Sequence, residues 1–217
     1  MRIRAVSFDM DRTLTIGTSC DAHLARALGF EASLLELERR YFAGEMTNRE
    51  VALRDAGHYR GRKRADMVPL LQSLPRIGGI GETVKTLHGE GIVVILNTIG
   101  WSFIAEEFQR EFGFDAVSGV IAGEDPPGVF NGIIDRHFDE HDKVTFAAAF
   151  FGGKGIAMVE VAAVGDSKSD IPLFEKVGLA IALNATPAAR EAADVCFDAD
   201  DLTVVLAPIL GRSSDTK

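Results

Sequence analysis

Asp9 and Asp11 stand one residue apart at the end of a mostly apolar run, residues 3–8, in which Ile3, Ala5, Val6 and Phe8 are interrupted by Arg4 and Ser7. The run reads as a buried first strand. Open α/β sheets bind ligands at the carboxyl ends of their strands, so both acids can leave the strand toward one site. A carboxylate placed there can attack phosphorus and form an aspartyl-phosphate, and the one two residues on can act as its proton partner. An acidic turn after a strand is the plainer alternative for this segment alone. A second cluster repeats the arrangement. Residues 159–164, apolar apart from Glu160, run into Gly165, Asp166, Ser167, Lys168, Ser169 and Asp170, then into Ile171 and Pro172. Pro172 suits the first turn of a helix, which Asp170 can also cap. Two acidic strand ends far apart in sequence make a Mg2+ site, because Mg2+ takes hard oxygen ligands, usually one or two carboxylates with water and substrate phosphate.

Only a sheet with adjacent strand ends brings these residues together. Apolar runs predict strands at 92–96, 117–122, 179–183 and 195–197 besides the two already named. Helices are expected at 81–88, 102–111, 143–151, 172–177, 187–193 and 202–210. The turn Asp125-Pro126-Pro127-Gly128 sets residues 129–134 up for a hairpin. Strands alternating with helices imply a mostly parallel sheet covered on both faces, an α/β Rossmann-like three-layer core over residues 1–15 and 76–211. Residues 16–75 form one large insertion after the first strand, and it reads helical. Helices are expected at 21–28 and 32–42, and a third is capped by Thr47 with Glu50 completing a capping box. The polar tail, 212–217, is expected to fray.

Composition narrows the class. No run of about 18 apolar residues occurs in the 217-residue chain, so no transmembrane helix and no membrane partner are expected. The start, Met1-Arg2-Ile3-Arg4, lacks a signal-peptide pattern. Cys20 and Cys196 make neither a disulfide framework nor a zinc pattern, which points to a reducing, cytoplasmic setting. The five histidines show no metal-ligand spacing. A net charge of -9 argues against nucleic acid as a partner. It does not argue against a phosphate ester, because a metal ion and a lysine set the local field.

The motifs resemble those of the haloacid dehalogenase (HAD) superfamily, in particular its phosphoserine-phosphatase-like branch. Val6 through Thr13 match a first motif of the form hhhDxDxT, and Gly165, Asp166 and Asp170 match GDxxxD. Between them, the run from Val93 to Asn97 leads into Thr98, Ile99 and Gly100 as a second motif, and Lys143 stands where a motif lysine is required. Lys154, after two glycines, is the competing lysine. The resemblance covers about residue 3 to about residue 208. It implies Asp9 as nucleophile and Asp11 as general acid and base. Mg2+ would be held by Asp9, the backbone carbonyl of Asp11 and Asp166, with Asp170 supporting the metal's waters or orienting Lys143. Thr98, with backbone N–H groups near Ile99 and Gly100, would bind the phosphoryl oxygens, and Lys143 would neutralise their charge. The large insertion resembles a helical C1 cap over the active site, and little chain is left for an insertion between the second and third motifs. Such caps close on small soluble substrates.

The resemblance also frames the substrate. Phosphoserine phosphatases use a cap glutamate for the substrate ammonium, at a position matching Thr18, and a cap arginine for its carboxylate, matching Arg54 or, in another alignment, Ala56. Arg12 replaces a small residue, and Ser169 stands where the branch often has asparagine. Trp101 follows the phosphate loop and either walls the pocket or packs in the core. The basic run Arg60, Arg62, Lys63, Arg64 reads as a solvated loop or a contact for an anionic substrate. The resulting expectation is a Mg2+-dependent phosphomonoesterase for a small-molecule phosphate ester, phosphoserine first, working as a monomer or homodimer. The alternatives are a phosphotransferase or mutase on the same scaffold and a non-catalytic phosphate-binding regulatory protein. That last class would normally have lost a catalytic acid, and none is missing here.

Overall fold

A computed structural model of the chain describes residues 2–211, and the tail at 212–217 lies outside them. In chain order the elements are β1 (Ala5–Phe8), α1 (Cys20–Leu28), α2 (Glu31–Phe42), α3 (Asn48–Tyr59), α4 (Arg64–Met67) and a 3-10 turn at Val68–Ser73. Then come α5 (Ile80–Gly89), β2 (Val93–Leu96), α6 (Ser102–Phe112), β3 (Ala116–Val117), β4 (Ile121–Asp125) and β5 (Val129–Arg136). The chain ends with α7 (Glu140–Gly152), β6 (Val161–Gly165), α8 (Ile171–Phe174), β7 (Leu179–Leu183), α9 (Pro187–Ala192), β8 (Val195–Phe197) and α10 (Leu206–Ile209).

Six strands form a parallel sheet in the order β3-β2-β1-β6-β7-β8, a Rossmann-like α/β core. Its strands are apolar on both faces because both are covered, as parallel sheets require. Val6, Phe8, Val94, Leu96, Val164 and Ile181 face one core with Val84, Leu87, Ile104 and Phe108 of α5 and α6. Ala5, Ile95, Val161 and Ala163 face the other, with Ala147 and Phe151 of α7 and Leu173 and Phe174 at α8. Register then builds the site. Phe8 lies opposite both Leu96 and Val164, so the residues that follow β1, β2 and β6 emerge side by side. The Asp9 N–H donates to the Val164 carbonyl at 2.9 Å, and the Asn97 N–H to the Phe8 carbonyl at 2.7 Å.

The insertion between β1 and α5 is helical, as expected. Its two crossings lie against each other: Thr15 and Arg76 form an antiparallel bridge, with Ile16 N–H on the Pro75 carbonyl at 3.1 Å and Ile77 N–H on the Leu14 carbonyl at 3.1 Å. Thr47 and Glu50 form the expected capping box on α3.

Three expectations need correction. The strand predicted at 117–122 divides. Only Ala116–Val117 joins the core sheet, Gly119 turns the chain at φ 146°, and Ile121 begins β4. A Cβ on Gly119 would sit 2.6 Å from the Gly100 carbonyl, so this glycine lets the turn lie against the phosphate loop. There the Val120 N–H donates to the Gly100 carbonyl and the Ser102 N–H to the Val120 carbonyl. Next, the stretch between second and third motifs does carry an insertion: β4 and β5 form an antiparallel hairpin that leaves the core and docks on the helical insertion. The docking runs through backbone bonds from Gly61 to Phe130, Phe130 to Arg62 and Arg64 to Gly128. Finally, the terminal helix predicted at 202–210 is a 3-10 turn, Leu202–Val205, followed by α10, because Asp201 caps the Thr203 N–H and tightens the first turn.

Candidate active site

Asp9, at the end of β1, is 6% exposed. The wholly buried Lys143, in the first turn of α7, extends its ammonium under it and donates to Asp9 Oδ1 and Asp170 Oδ1, each at 2.6 Å. Thr13 Oγ1 donates to the other Asp9 oxygen at 3.3 Å. Asp170 Oδ2 accepts the N–H groups of Asp166 and Ser167 at 3.1 and 3.2 Å, which folds the acidic turn after β6 around it. Gly165 makes this possible, since a Cβ there would fall 2.2 Å from Asp170 Cγ. Asp170 is therefore held by Lys143 and by its own loop, and no side-chain hydrogen bond caps α8 from it. Lys154, the competing lysine, is exposed and lies over the Phe150 ring.

Asp9, Asp166 and Asp170 each present an oxygen within 4.8 Å of the others. Burial pushes the Asp9 carboxyl well above the ordinary range; Lys143 pulls it back, while Asp170 and Asp166 push it further. Burial, and after it Asp170, raises Asp166 to about 7. Burial alone would lower Lys143, but Asp170 and Asp9 hold it above its usual value and keep it charged. Three enclosed carboxylates against one ammonium leave the cluster short of positive charge, and its donors are all hard oxygens. The set fits a divalent cation such as Mg2+. The Asp11 carboxylate stands apart from this cluster: Oδ1 accepts the Cys20 N–H at 2.6 Å, at the start of α1, and Oδ2 points toward Gly100.

Thr98 follows β2 and is buried, its hydroxyl oxygen accepting the Gly100 N–H at 2.9 Å. Asn97 ties the neighbouring motifs together, donating to Ser7 Oγ at 3.2 Å and to the Lys143 carbonyl at 3.0 Å while accepting from Ser118 Oγ at 2.7 Å. Sequence reasoning treated Asn97 only as part of a strand.

A cavity of about 410 Å³ opens above these groups, with Asp9, Asp11, Thr98, Ile99, Gly100 and Asp166 as its floor. Trp101, Val51, Ala52, Asp55, Asp21 and Glu38 line it on the side of the helical insertion, and Arg12 and Lys168 are exposed parts of its lining. The Lys168 ammonium lies 3.8 Å from the Tyr41 ring centroid of α2, linking the acidic turn after β6 to the insertion. Trp101 is 2% exposed and donates from Nε1 to Asp55 Oδ2 at 2.9 Å, so it both walls the pocket and packs in the core.

A family model of haloacid dehalogenase-like hydrolases matches residues 6–175. Phosphoserine phosphatase of Methanocaldococcus jannaschii is 30% identical, covering 94% of this chain and 96% of its own length. Phosphoserine phosphatase of a Polaromonas species is 26% identical, covering 94% and 88%. The chain belongs to the haloacid dehalogenase-like hydrolases. Within them it is a phosphatase of the phosphoserine-phosphatase-like branch. Among solved structures, a substrate-bound phosphoserine phosphatase complex superposes with a TM-score of 0.83 at 23% identity, covering 96% of this chain and 99% of that one. A HAD family hydrolase of Salmonella enterica serovar Typhi gives 0.88 at 18% identity, covering 100% and 74%. At such identities the likeness is one of fold.

In this HAD hydrolase two expected pocket residues fall elsewhere. Arg54 is exposed and absent from the cavity wall, because α3 turns Val51, Ala52 and Asp55 inward, and a residue one position away from Asp55 points about 100° off. Thr18 also lies off the cavity, its hydroxyl donating to the Ser19 carbonyl at 3.2 Å and its carbonyl accepting from Thr15 Oγ1 at 2.6 Å. Ala56 is buried away from the cavity as well. The basic run avoids the cavity: Arg60 donates to the Asn131 carbonyl, Arg62 to the His58 carbonyl, and Arg64 pairs with Glu106. Among the wall residues that sequence reasoning missed are three acids, Asp21, Glu38 and Asp55. For Asp55 the available signal was its place three and four residues after Ala52 and Val51, which puts it on one helix face with them. Burial pushes Asp55 up to about 7, with the Trp101 bond opposing and Glu38 reinforcing the shift. Asp21 is likewise raised, by burial and then by Asp55.

Proposed function

We propose that this phosphatase hydrolyses the monophosphate ester of a small metabolite, with Mg2+ as cofactor and an aspartyl-phosphate at Asp9 as intermediate. The observation that carries the reading is the buried Lys143 held between Asp9 and Asp170. Asp9, so paired, stands at a strand end and lines the cavity. Asp9, Asp166 and the backbone carbonyl of Asp11 are the proposed Mg2+ ligands, with Asp170 behind them. The ion, when bound, offsets the repulsion between carboxylate and phosphate. Asp9 attacks phosphorus in line as the bond to the leaving oxygen breaks, and Asp11 delivers a proton to that oxygen. The Cys20 N–H holds the Asp11 carboxylate in place for this. Asp11 then takes a proton from the water that attacks the acyl phosphate, releasing inorganic phosphate and restoring Asp9. The Thr98 hydroxyl and the loop N–H groups at Ile99 and Gly100 bind the phosphoryl oxygens, and Lys143 balances their charge.

Residues 16–75 serve as the cap in this reading, closing over the ester about the paired crossings at Thr15 and Arg76, with the β4–β5 hairpin moving with it. The phosphoserine phosphatases among the relatives make phosphoserine the first ester to test. The test is phosphate release from a panel of phosphometabolites with and without Mg2+, for wild type and Asp9→Asn. Mg2+-dependent release that disappears in Asp9→Asn is expected. No release from any ester by folded protein overturns the proposal and favours phosphotransfer to another acceptor.

A further inference from the structure

We propose that the insertion-side half of the cavity binds a cationic nitrogen, so that the preferred ester is the monophosphate of an amino alcohol without a carboxylate. The inference rests on the phosphatase reading above. Asp55 is 2% exposed, its Oδ2 is fixed by the Trp101 indole N–H, and its Oδ1 is enclosed with no hydrogen-bond partner. Asp21 presents a second enclosed Oδ1 without a partner, and no hydrogen bond joins the two acids. Both side chains line the same cavity, with Glu38 beside them. A carboxylate withdrawn from water costs several kcal/mol unless donors and opposite charge meet it. Here the chain supplies neither to those two oxygens, which leaves the ligand to do so. An ammonium brings both; a hydroxyl brings a donor without the charge.

No cation in or beneath the cavity meets those two oxygens. Lys143 is committed to Asp9 and Asp170. Arg12 and Lys168 are solvent-exposed, and Lys168 lies over the Tyr41 ring. Asn48 Nδ2, also enclosed and unpartnered, offers two neutral N–H donors, enough for a hydroxyl but without the charge to balance a carboxylate. A substrate carboxylate in this half would face three acids, Asp21, Glu38 and Asp55, against one basic group, the exposed Arg12 near Glu38. These acids occupy other positions than the glutamate and arginine expected from the family at Thr18 and Arg54.

The experiment compares phosphoethanolamine, phosphocholine, phosphoserine and glycerol 3-phosphate as substrates of the full, Mg2+-loaded chain, and in parallel measures binding of free ethanolamine and choline by calorimetry. An amine ester should exceed both phosphoserine and glycerol 3-phosphate in kcat/KM by at least tenfold. Asp55→Asn, and separately Asp21→Asn, should cut that preference at least tenfold, mainly through KM, and abolish binding of the free amine; circular dichroism confirms that each variant is folded. Release from all esters without an amine preference, phosphoserine as the best substrate, or equal losses for every ester in the variants overturns the inference and leaves the phosphatase reading standing. Release from none removes the phosphatase reading, and amine binding then decides this one by itself: saturable binding lost in Asp55→Asn upholds it, and absence of binding in the wild type sinks it.

Discussion

Lys143 is where the residue scale is most demanding. Its ammonium is wholly enclosed and bridges two acids that would otherwise face each other without compensation. Removing one member of a buried ion pair leaves uncompensated charge and costs about 3–5 kcal/mol. Lys143→Ala should therefore lower thermal stability clearly in urea or heat denaturation and abolish phosphate release, because Asp9 and Asp170 lose their shared partner. Lys154→Ala should stay within about 0.5 kcal/mol of wild type and keep its activity, since Lys154 is exposed and its ammonium lies over a ring face. Equal losses in the two variants would show that the buried bridge does not have this role. The contrast is useful because both lysines compete for one motif in the sequence, where position favours Lys143, and their burial separates them in the fold.

At the scale of elements, the docked hairpin depends on a close approach. Gly132 in β5 has φ 83°, and a Cβ there would lie 2.9 Å from Arg60 Cβ. Gly132→Ala thus meets both an unfavourable backbone region and a contact that must yield, a cost on the order of 1–2 kcal/mol. Hydrogen exchange should speed up together at the hairpin and at the connection between α3 and α4, because their backbones share bonds. Faster exchange in the hairpin alone would show that the two are not one unit. Elements such as β7 and β8 were legible because buried parallel strands are apolar at every position and turn residues bound them. The capping box at Thr47 was legible because its chemistry is local. The division of residues 117–122 was not legible: an apolar run says nothing of the space at Gly119, which is set by the phosphate loop packing against it. The inward place of Asp55 on α3 was only half legible: its spacing from Val51 and Ala52 puts the three on one face, but a buried acid there runs against the usual apolar pattern.

For the molecule as a whole, buried acids set the pH response. Asp55 is raised to about 7, and Asp21 is raised with it. A carboxyl whose folded pKa exceeds its unfolded value near 4 holds its proton more tightly when folded, so stability present below pH 4 is lost as pH rises toward 7. Metal-free protein should unfold more easily at pH 8 than at pH 5, by on the order of a few kcal/mol, and Asp55→Asn should remove part of that slope. Mg2+ acts in the opposite sense, because it binds the ionised form of the acid cluster at the strand ends. At about a hundredfold excess over its Kd a ligand adds roughly 2.7 kcal/mol, which for a chain of this size raises Tm by about 5–10 °C. Thermal unfolding in EDTA and in Mg2+, at pH 5 and pH 8, for wild type, Asp55→Asn and Asp166→Asn, separates these effects. The Mg2+ shift should be larger at pH 8, persist in Asp55→Asn and vanish in Asp166→Asn. A shift that survives Asp166→Asn would place the ion somewhere other than the cluster of Asp9, Asp166 and Asp170.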